Sequence, residues 1–295
     1  MKRLVFVIFC WQQFIVAEAQ DVLNVASQKF EKKVDYRTGD VLLLQLEKAN
    51  LTLSGWDKDH FHFEILLKSK HKSRAKAIEE LAFLKYSLSK EGDTARFYNF
   101  FGASDKFQKV QGILGLDLII HAPKSSKLVV KNAYGTTRVQ EMEGGTSIYG
   151  KFVETEVNHF RGPLSMTSIF GSVHLTDHEG DLLLDLSRAD LTAKNVRGDI
   201  VGKTSYGKVS IASITADQVI FDSKRTAFEL DVTQTLNKIN FDLSTQFGKI
   251  EIGTPINATA SGSWKFDGTS AATIKITTTF SPIIIQGKSF NAQKP

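Results

Sequence analysis

The sequence contains a single cysteine, Cys10, and only five prolines among its 295 residues. Because Cys10 lies in the apolar stretch at the N-terminus, the rest of the chain cannot form a disulfide, a cysteine–zinc site or a catalytic thiolate. No apolar run is long enough to form a transmembrane helix. Stability must therefore come from a large apolar core, which a chain of this length can build.

Neither sign of charge dominates, since 37 Lys and Arg against 32 Asp and Glu leave a net charge of only +5. Such a balance argues against a nucleic-acid-binding protein, which usually presents a strongly basic face. No motif in the chain predicts a metal site, a cofactor or a catalytic set. The sequence therefore predicts a protein that is not an enzyme.

The N-terminus has the three parts of a secretory signal peptide. Lys2 and Arg3 supply positive charge, residues 4–11 are apolar, and Ala17-Glu18-Ala19 places small residues at the positions that a signal peptidase recognises. This pattern predicts a signal peptide over residues 1–19. We expect export to the periplasm, the cell surface or the medium, with no integral membrane span.

Residues 20–110 predict a small β-rich unit with one helix. Alternating or continuous apolar segments predict strands at residues 41–46, 51–53, 61–67 and 94–100. Ala77, Leu81, Leu84 and Leu88 follow one another at spacings of four, three and four residues, which is typical of one helical face. We expect this unit to cap the segment that follows.

The second part of the chain contains repeats. Segments 162–179, 180–197 and 198–215 each have 18 residues and align without gaps, so that Leu164, Leu182 and Ile200 are equivalent. Each segment alternates apolar and polar residues on both sides of a central small residue, which predicts two short strands joined by bends. The glycines at these bends predict positive φ angles. One such unit cannot bury its apolar face alone, so the units must stack.

The fold class that this pattern predicts is mainly β: a β-solenoid of about 18-residue coils over residues 111–290, with an N-terminal β-rich cap and a tail at 291–295. The alternative is an antiparallel meander in which each unit is a hairpin. Periodicity does not distinguish the two, but the equal length of three consecutive units favours the solenoid.

The bends also carry a family resemblance. Aromatic–glycine pairs occur at Tyr134-Gly135, Tyr149-Gly150, Phe170-Gly171, Tyr206-Gly207 and Phe247-Gly248. Gly180-Asp181-Leu182, Gly198-Asp199-Ile200 and the segment 51–57 add to the pattern. Together they resemble the exported bacterial repeat domains, common in the Bacteroidetes, whose family is labelled "putative adhesin". The resemblance covers most of the chain and implies a β-solenoid, an envelope or secreted location, and no known catalytic residues.

The chain departs from the family pattern at Arg188-Ala189 and Arg225-Thr226, and it inserts residues 257–270 before the last unit. Aromatic and arginine residues consequently alternate at the position before the bend. In order, these residues are Phe170, Arg188, Tyr206, Arg225 and Phe247. Equivalent residues of stacked repeats lie about 4.8 Å apart, and a planar guanidinium can stack between two rings. We predict a structural cation–π ladder, with a ligand-binding edge for sugars or another polymer as the alternative.

His174, Thr176 and His178 alternate along one repeat and therefore share one face of a strand. Two histidines without a third ligand predict a solvated strand face, and a metal site is the alternative.

The expected function is that of a non-enzymatic cell-envelope protein with an adhesin-like binding or scaffold role. Its expected partners are surface polysaccharide or another envelope protein, because the repeats offer a regular surface and no catalytic set accompanies them. Two alternatives remain open: a carbohydrate-active β-helix enzyme, and a component of envelope-stress signalling that works through protein contacts.

Overall fold

The computed structural model of the protein describes residues 23–102, 110–253 and 258–288. The predicted signal peptide and the tail at 291–295 lie outside the described residues. The first elements are β1 (Asn24–Asp35), β2 (Val41–Glu47), β3 (Ala49–Trp56), β4 (His60–His71), α1 (Arg74–Leu81), β5 (Leu84–Glu91), β6 (Thr94–Phe101) and β7 (Ile113–Pro123). They are followed by β8 (Lys127–Gln140), β9 (Thr146–Arg161), β10 (Leu164–Ile169), β11 (Ser172–Glu179), β12 (Leu182–Ser187), β13 (Asp190–Arg197) and β14 (Ile200–Thr215). The last elements are β15 (Gln218–Thr235), a 3-10 turn (Leu236–Lys238), β16 (Asn240–Ile252), β17 (Ala258–Phe266), β18 (Thr273–Thr279) and β19 (Ile283–Lys288).

Equivalent residues of the 18-residue repeats are hydrogen-bonded neighbours. Leu164 pairs with Leu182, and Leu182 pairs with Ile200, in parallel strands. All three side chains are buried, as the alternation of apolar and polar residues predicts. The antiparallel meander is therefore wrong for these repeats, because each strand pairs in parallel with its equivalent in the next repeat.

The predicted β-solenoid is also wrong, since the pairings close into a six-stranded parallel β-barrel with further strands outside it. The ring runs β9–β10–β12–β14–β13–β11 and returns to β9. Closure depends on β9 and β14, which have 16 residues each and continue as strands through the bend. The first half of each therefore pairs on one side of the barrel and the second half on the other. Unit length alone cannot reveal this closure.

Additional strands extend the hydrogen bonding on the N-terminal side of the barrel. β8 pairs in parallel with β9, and β2 and β3 pair in parallel with β8. The strands predicted at 41–46, 51–53, 61–67 and 94–100 are confirmed as parts of β2, β3, β4 and β6. The division predicted between residues 110 and 111 stays a prediction, although β7, which follows it, pairs with both β3 and β4.

The C-terminal strands do not pair in the order in which they follow one another in the sequence. β15 pairs with β18 and β19, and these in turn pair with β16. The segment predicted as an insertion forms β17, which pairs antiparallel with β16. The insertion therefore supplies a strand that covers the far edge of β16, where exposed backbone groups would otherwise invite pairing with another chain.

One helix is confirmed, but it is shorter than the periodicity predicts. Ala77 and Leu81 lie in α1, whereas Leu84 and Leu88 lie in β5, which pairs along its whole length with β6. Residues four apart share a face in a strand as well as in a helix, so their spacing does not distinguish the two. The buried carboxylate of Glu80 accepts hydrogen bonds from the backbone N–H groups of Gln111 and Gly112, at 2.8 Å each, and so ties α1 to the start of the segment leading into β7.

Candidate functional site

Nine equivalent bend positions of neighbouring strands form one continuous line, which we call the ladder. All nine residues are non-glycine residues with φ between 50° and 62°. In spatial order they are Lys48, Tyr134, Phe152, Phe170, Arg188, Tyr206, Arg225, Phe280 and Phe247. A left-handed backbone costs an ordinary residue roughly 1–2 kcal/mol, so the strain recurs at every repeat.

The ring contacts begin at Tyr134. Its centroid is 5.1 Å from that of Phe152, and the centroid of Phe152 is 5.0 Å from that of Phe170, with planes 8° and 6° apart. At the other end, the rings of Phe280 and Phe247 are 5.1 Å apart. The stacked rings cover one another's faces, and their edges point toward solvent.

Two guanidinium groups interrupt the rings. The Cζ atom of Arg188 is 5.0 Å from the centroid of Phe170 and 5.6 Å from that of Tyr206. The Cζ atom of Arg225 is 5.5 Å from the centroid of Tyr206 and 5.4 Å from that of Phe280. Each guanidinium therefore lies between two rings and keeps the N–H groups along its edge available to solvent.

The structure brings Phe170, Arg188, Tyr206 and Arg225 into one stack, but Phe280 separates Arg225 from Phe247. This follows from the C-terminal strand order, in which β18 and β19 lie between β15 and β16. The aromatic–glycine pair Tyr149-Gly150 is not a bend at all, because Tyr149 lies within β9 and pairs with Thr167.

Sequence reasoning missed Lys48 and Phe152 because no glycine follows them; the next residues are Ala49 and Val153. For Phe152 a signal existed, since it lies one repeat length, 18 residues, before Phe170. Residues 279–285 do follow the repeat pattern, which predicts a unit around Phe280, but the strand order that places Phe280 beside Arg225 depends on tertiary structure.

The glycines of the ladder bends do not supply the positive φ, so that interpretation is wrong at these positions. At the bend of β10 and β11, Phe170 has a φ of 55°, and Gly171 is required for a different reason. A Cβ atom on Gly171 would lie 2.2 Å from the backbone oxygen of Val153 in the neighbouring strand. The expectation of positive φ is confirmed instead at Gly180 and Gly198, at the other end of the repeat.

The charge of the ladder has one sign. Its nine positions hold six aromatic rings and the three cations Lys48, Arg188 and Arg225, and no carboxylate. Lys151 adds a further ammonium group, which lies 5.9 Å from the centroid of Phe152. The ladder therefore presents ring edges, which are the electropositive part of an aromatic ring, interspersed with cations.

His174, Thr176 and His178 do not share one solvated strand face. His174 is exposed, but Asp177 has a φ of 55°, so the alternation reverses and His178 turns inward. The prediction of a solvated face is therefore wrong for His178. Within residues 23–102, 110–253 and 258–288, no group of His, Asp and Glu is arranged to hold a metal ion. Over the same ranges, no helix has both the length and the apolar character needed to cross a membrane.

No family model matches the chain, and no curated protein matches it. Two solved structures share a coarse likeness at 11% sequence identity. A "putative cell adhesion protein" from Clostridium sporogenes has a TM-score of 0.29 and covers 89% of this chain and 100% of its own. A "putative lipid binding protein" from Parabacteroides distasonis has a TM-score of 0.41 and covers 88% of this chain and 97% of its own.

Proposed function

We propose that the protein is an exported, non-enzymatic binding protein of the cell envelope, and that its ladder binds an extended anionic polymer such as an acidic polysaccharide. The observation that carries the proposal is the uninterrupted line of ring edges and cations along the bends. The predicted signal peptide supports an envelope location, since it would bring the ladder into contact with surface polymers.

The stacking geometry favours an anionic ligand over a neutral sugar. A neutral sugar usually packs its apolar side against an open ring face, but the rings between Tyr134 and Phe247 are covered on both faces by neighbouring rings and guanidinium groups. What remains accessible is the electropositive ring edge and the N–H edge of Arg188 and Arg225. A carboxylate accepts hydrogen bonds from such a guanidinium edge in a bidentate manner.

The length of the ladder favours a polymer over a small anion. Nine positions at the spacing of parallel strands extend over roughly 40 Å. Single exposed ion pairs contribute only about 0.2–1 kcal/mol, so useful affinity requires several contacts along a chain of repeating charges. The backbone strain at each position supports a functional role, because strained residues concentrate at binding sites.

The test is a titration of polygalacturonate into the purified protein and into two double variants. Arg188→Gln with Arg225→Gln removes both charges but keeps planar side chains, and we expect it to weaken binding about tenfold or more. Arg188→Lys with Arg225→Lys retains the charge, and we expect most of the affinity to remain. Binding of the unaltered protein should weaken as salt is raised, because exposed charges are screened.

Arg96→Gln is the matched control, since Arg96 is an exposed arginine in β6 that lies away from the ladder. Circular dichroism of each variant shows whether the fold is retained. Unchanged affinity in the double glutamine variant, with the fold intact, would refute the proposal.

A further inference from the structure

An exposed apolar surface, which we call the pole, lies where the start of β1, the end of β4 and the start of β7 meet. Val25 in β1 pairs with Lys70 in β4, and Lys70 pairs with Ile113 in β7, so the three side chains lie side by side on one face. Val25 is 56% exposed and Ile113 is 63% exposed. Two aliphatic side chains therefore face solvent about 10 Å apart, with a lysine between them.

Two further exposed apolar residues belong to the pole. Leu23 directly precedes Asn24, whose side-chain amide donates a hydrogen bond of 2.8 Å to the backbone oxygen of Lys72 at the end of β4. Ile78 lies in α1, which the carboxylate of Glu80 ties to the segment leading into β7. Exposed apolar groups gathered at one place and surrounded by polar residues are typical of an interaction site.

Positive charge surrounds these apolar residues. The exposed charged residues at the end of β4 and in α1 are Lys70, Lys72, Arg74, Lys76 and Glu79. Among the described residues, Lys70, Arg74 and Lys76 have no ion-pair partner. The neighbouring carboxylate of Asp117 is already paired with Lys68. The pole therefore presents four cations and a single exposed carboxylate beside its apolar side chains.

We propose that the pole docks the protein on the surface of an anionic phospholipid bilayer. Val25 and Ile113 enter the boundary between headgroups and acyl chains, and Lys70 and Arg74 contact the lipid phosphates. This inference goes beyond the function proposed for the ladder and does not depend on the ligand of the ladder.

The combination of apolar and cationic side chains fits a bilayer better than a second copy of the chain. Apolar side chains bind at the headgroup boundary, and anionic lipids attract the cations around them. The stem of Lys70 can lie along the apolar neighbours while its ammonium group reaches a phosphate. A two-fold dimer through the pole would instead bring the same cations of both copies together, and like charges repel.

The test is co-sedimentation with lipid vesicles of the protein without its predicted signal peptide, because the apolar signal peptide would bind lipid by itself. We expect saturable binding to vesicles of phosphatidylcholine mixed with phosphatidylglycerol, and binding at least tenfold weaker to phosphatidylcholine alone. Val25→Thr with Ile113→Thr removes apolar surface but keeps β-branched residues in the strands, and it should weaken binding about tenfold. Lys70→Gln with Arg74→Gln should weaken it by about tenfold or more.

Leu183→Thr with Val201→Thr is the matched control, because these aliphatic residues are 54% and 43% exposed on β12 and β14 of the barrel, away from the pole. This control should bind the anionic vesicles as the unaltered protein does. The ladder variant Arg188→Gln with Arg225→Gln should also bind them fully, which separates the pole from the ladder. Circular dichroism shows whether each variant retains the fold.

Three results would overturn the proposal. The first is equal binding to anionic and neutral vesicles, and the second is full binding by both pole variants. The third is sedimentation equilibrium that shows a dimer of the unaltered protein and a monomer of the Val25→Thr with Ile113→Thr variant, since the pole would then join two copies of the chain.

Discussion

Alanine at position 171 is expected to destabilise the protein by about 3 kcal/mol, because its Cβ atom would collide with backbone rather than with a movable side chain. The atom would lie 2.2 Å from the carbonyl oxygen of Val153 and 3.0 Å from the hydroxyl of Ser168. Relief requires β9 and β11 to move apart at the bend where the barrel closes. Equilibrium unfolding in urea, monitored by circular dichroism, measures the change.

Gly115→Ala is the matched control for this substitution. A Cβ atom there would contact only the backbone oxygen of Lys48, at 3.6 Å, which is an ordinary van der Waals distance. We expect Gly115→Ala to change stability by less than about 1 kcal/mol, with stabilisation possible because alanine restricts the unfolded chain. If the two alanine variants lose equal stability, close packing at the ladder bends is not what requires glycine at position 171.

Replacement of Asp40 by alanine is expected to destabilise the protein by about 2 kcal/mol, since it removes the acceptor of two hydrogen bonds, one of them from a charged donor. Asp40 is buried beside the start of β2. Its carboxylate accepts hydrogen bonds from Lys90 and, at 2.8 Å, from the backbone N–H of Arg37. Lys90 also donates to the backbone oxygen of Asp35, at 2.7 Å, so one ammonium group joins the end of β1 to β5 and β2.

Asp40 also makes the free energy of unfolding depend on pH. Burial alone would raise the pKa of its carboxyl, but the hydrogen bonds from Lys90 and Arg37 outweigh burial and lower the pKa below its ordinary value. The lowered pKa stabilises the folded state above the unfolded value of about 3.9, and this stabilisation is lost as pH falls through the folded pKa.

The measurement is unfolding of Asp40→Ala at pH 7 and pH 3, with Asp35→Ala as the control. The Asp35 side chain is exposed, and Asp35 accepts the hydrogen bond from Lys90 through its backbone oxygen, which alanine retains. We expect the difference between Asp40→Ala and the unaltered protein to shrink at pH 3. An Asp40→Ala variant as stable as Asp35→Ala at pH 7 would show that the buried pair contributes nothing.

The register of the barrel could be predicted from the sequence, whereas its closure could not. Equal spacing of Leu164, Leu182 and Ile200 predicts parallel pairing because equivalent residues must share one buried face. Closure depends on whether β9 and β14 continue through their bends, and the alternation of apolar residues is the same in a strand that continues and in two strands that stop.

Part of the ladder can be predicted from the sequence, because aromatic–glycine pairs recur at the bends. The glycine signal, however, reports the close approach of a neighbouring carbonyl, as at Gly171, and not the positive φ of the bend. It therefore identifies Phe170 and Tyr206, misplaces a bend at Tyr149, and misses Phe152 and Phe280. The positions of Arg188 and Arg225 in the repeat predict their place in the ladder, and the registers of β12 with β14 and of β14 with β15 preserve it.

The burial of His178 could not be predicted, because it depends on a reversal within β11. Asp177 adopts a left-handed backbone, which sends His178 inward and changes the side on which the following residues lie. A simple period of two places His178 beside His174 on one solvated face. The departure from that period is visible only in the folded backbone.

The most direct test of the central claim is nitrogen-15 NMR of the arginine side chains during titration with polygalacturonate. If the ladder binds the polymer, the Nε–Hε resonances of Arg188 and Arg225 will shift in a saturable manner, while that of Arg96 will not. Saturable binding that leaves both ladder arginines unshifted, or that shifts Arg96 equally, would contradict the account.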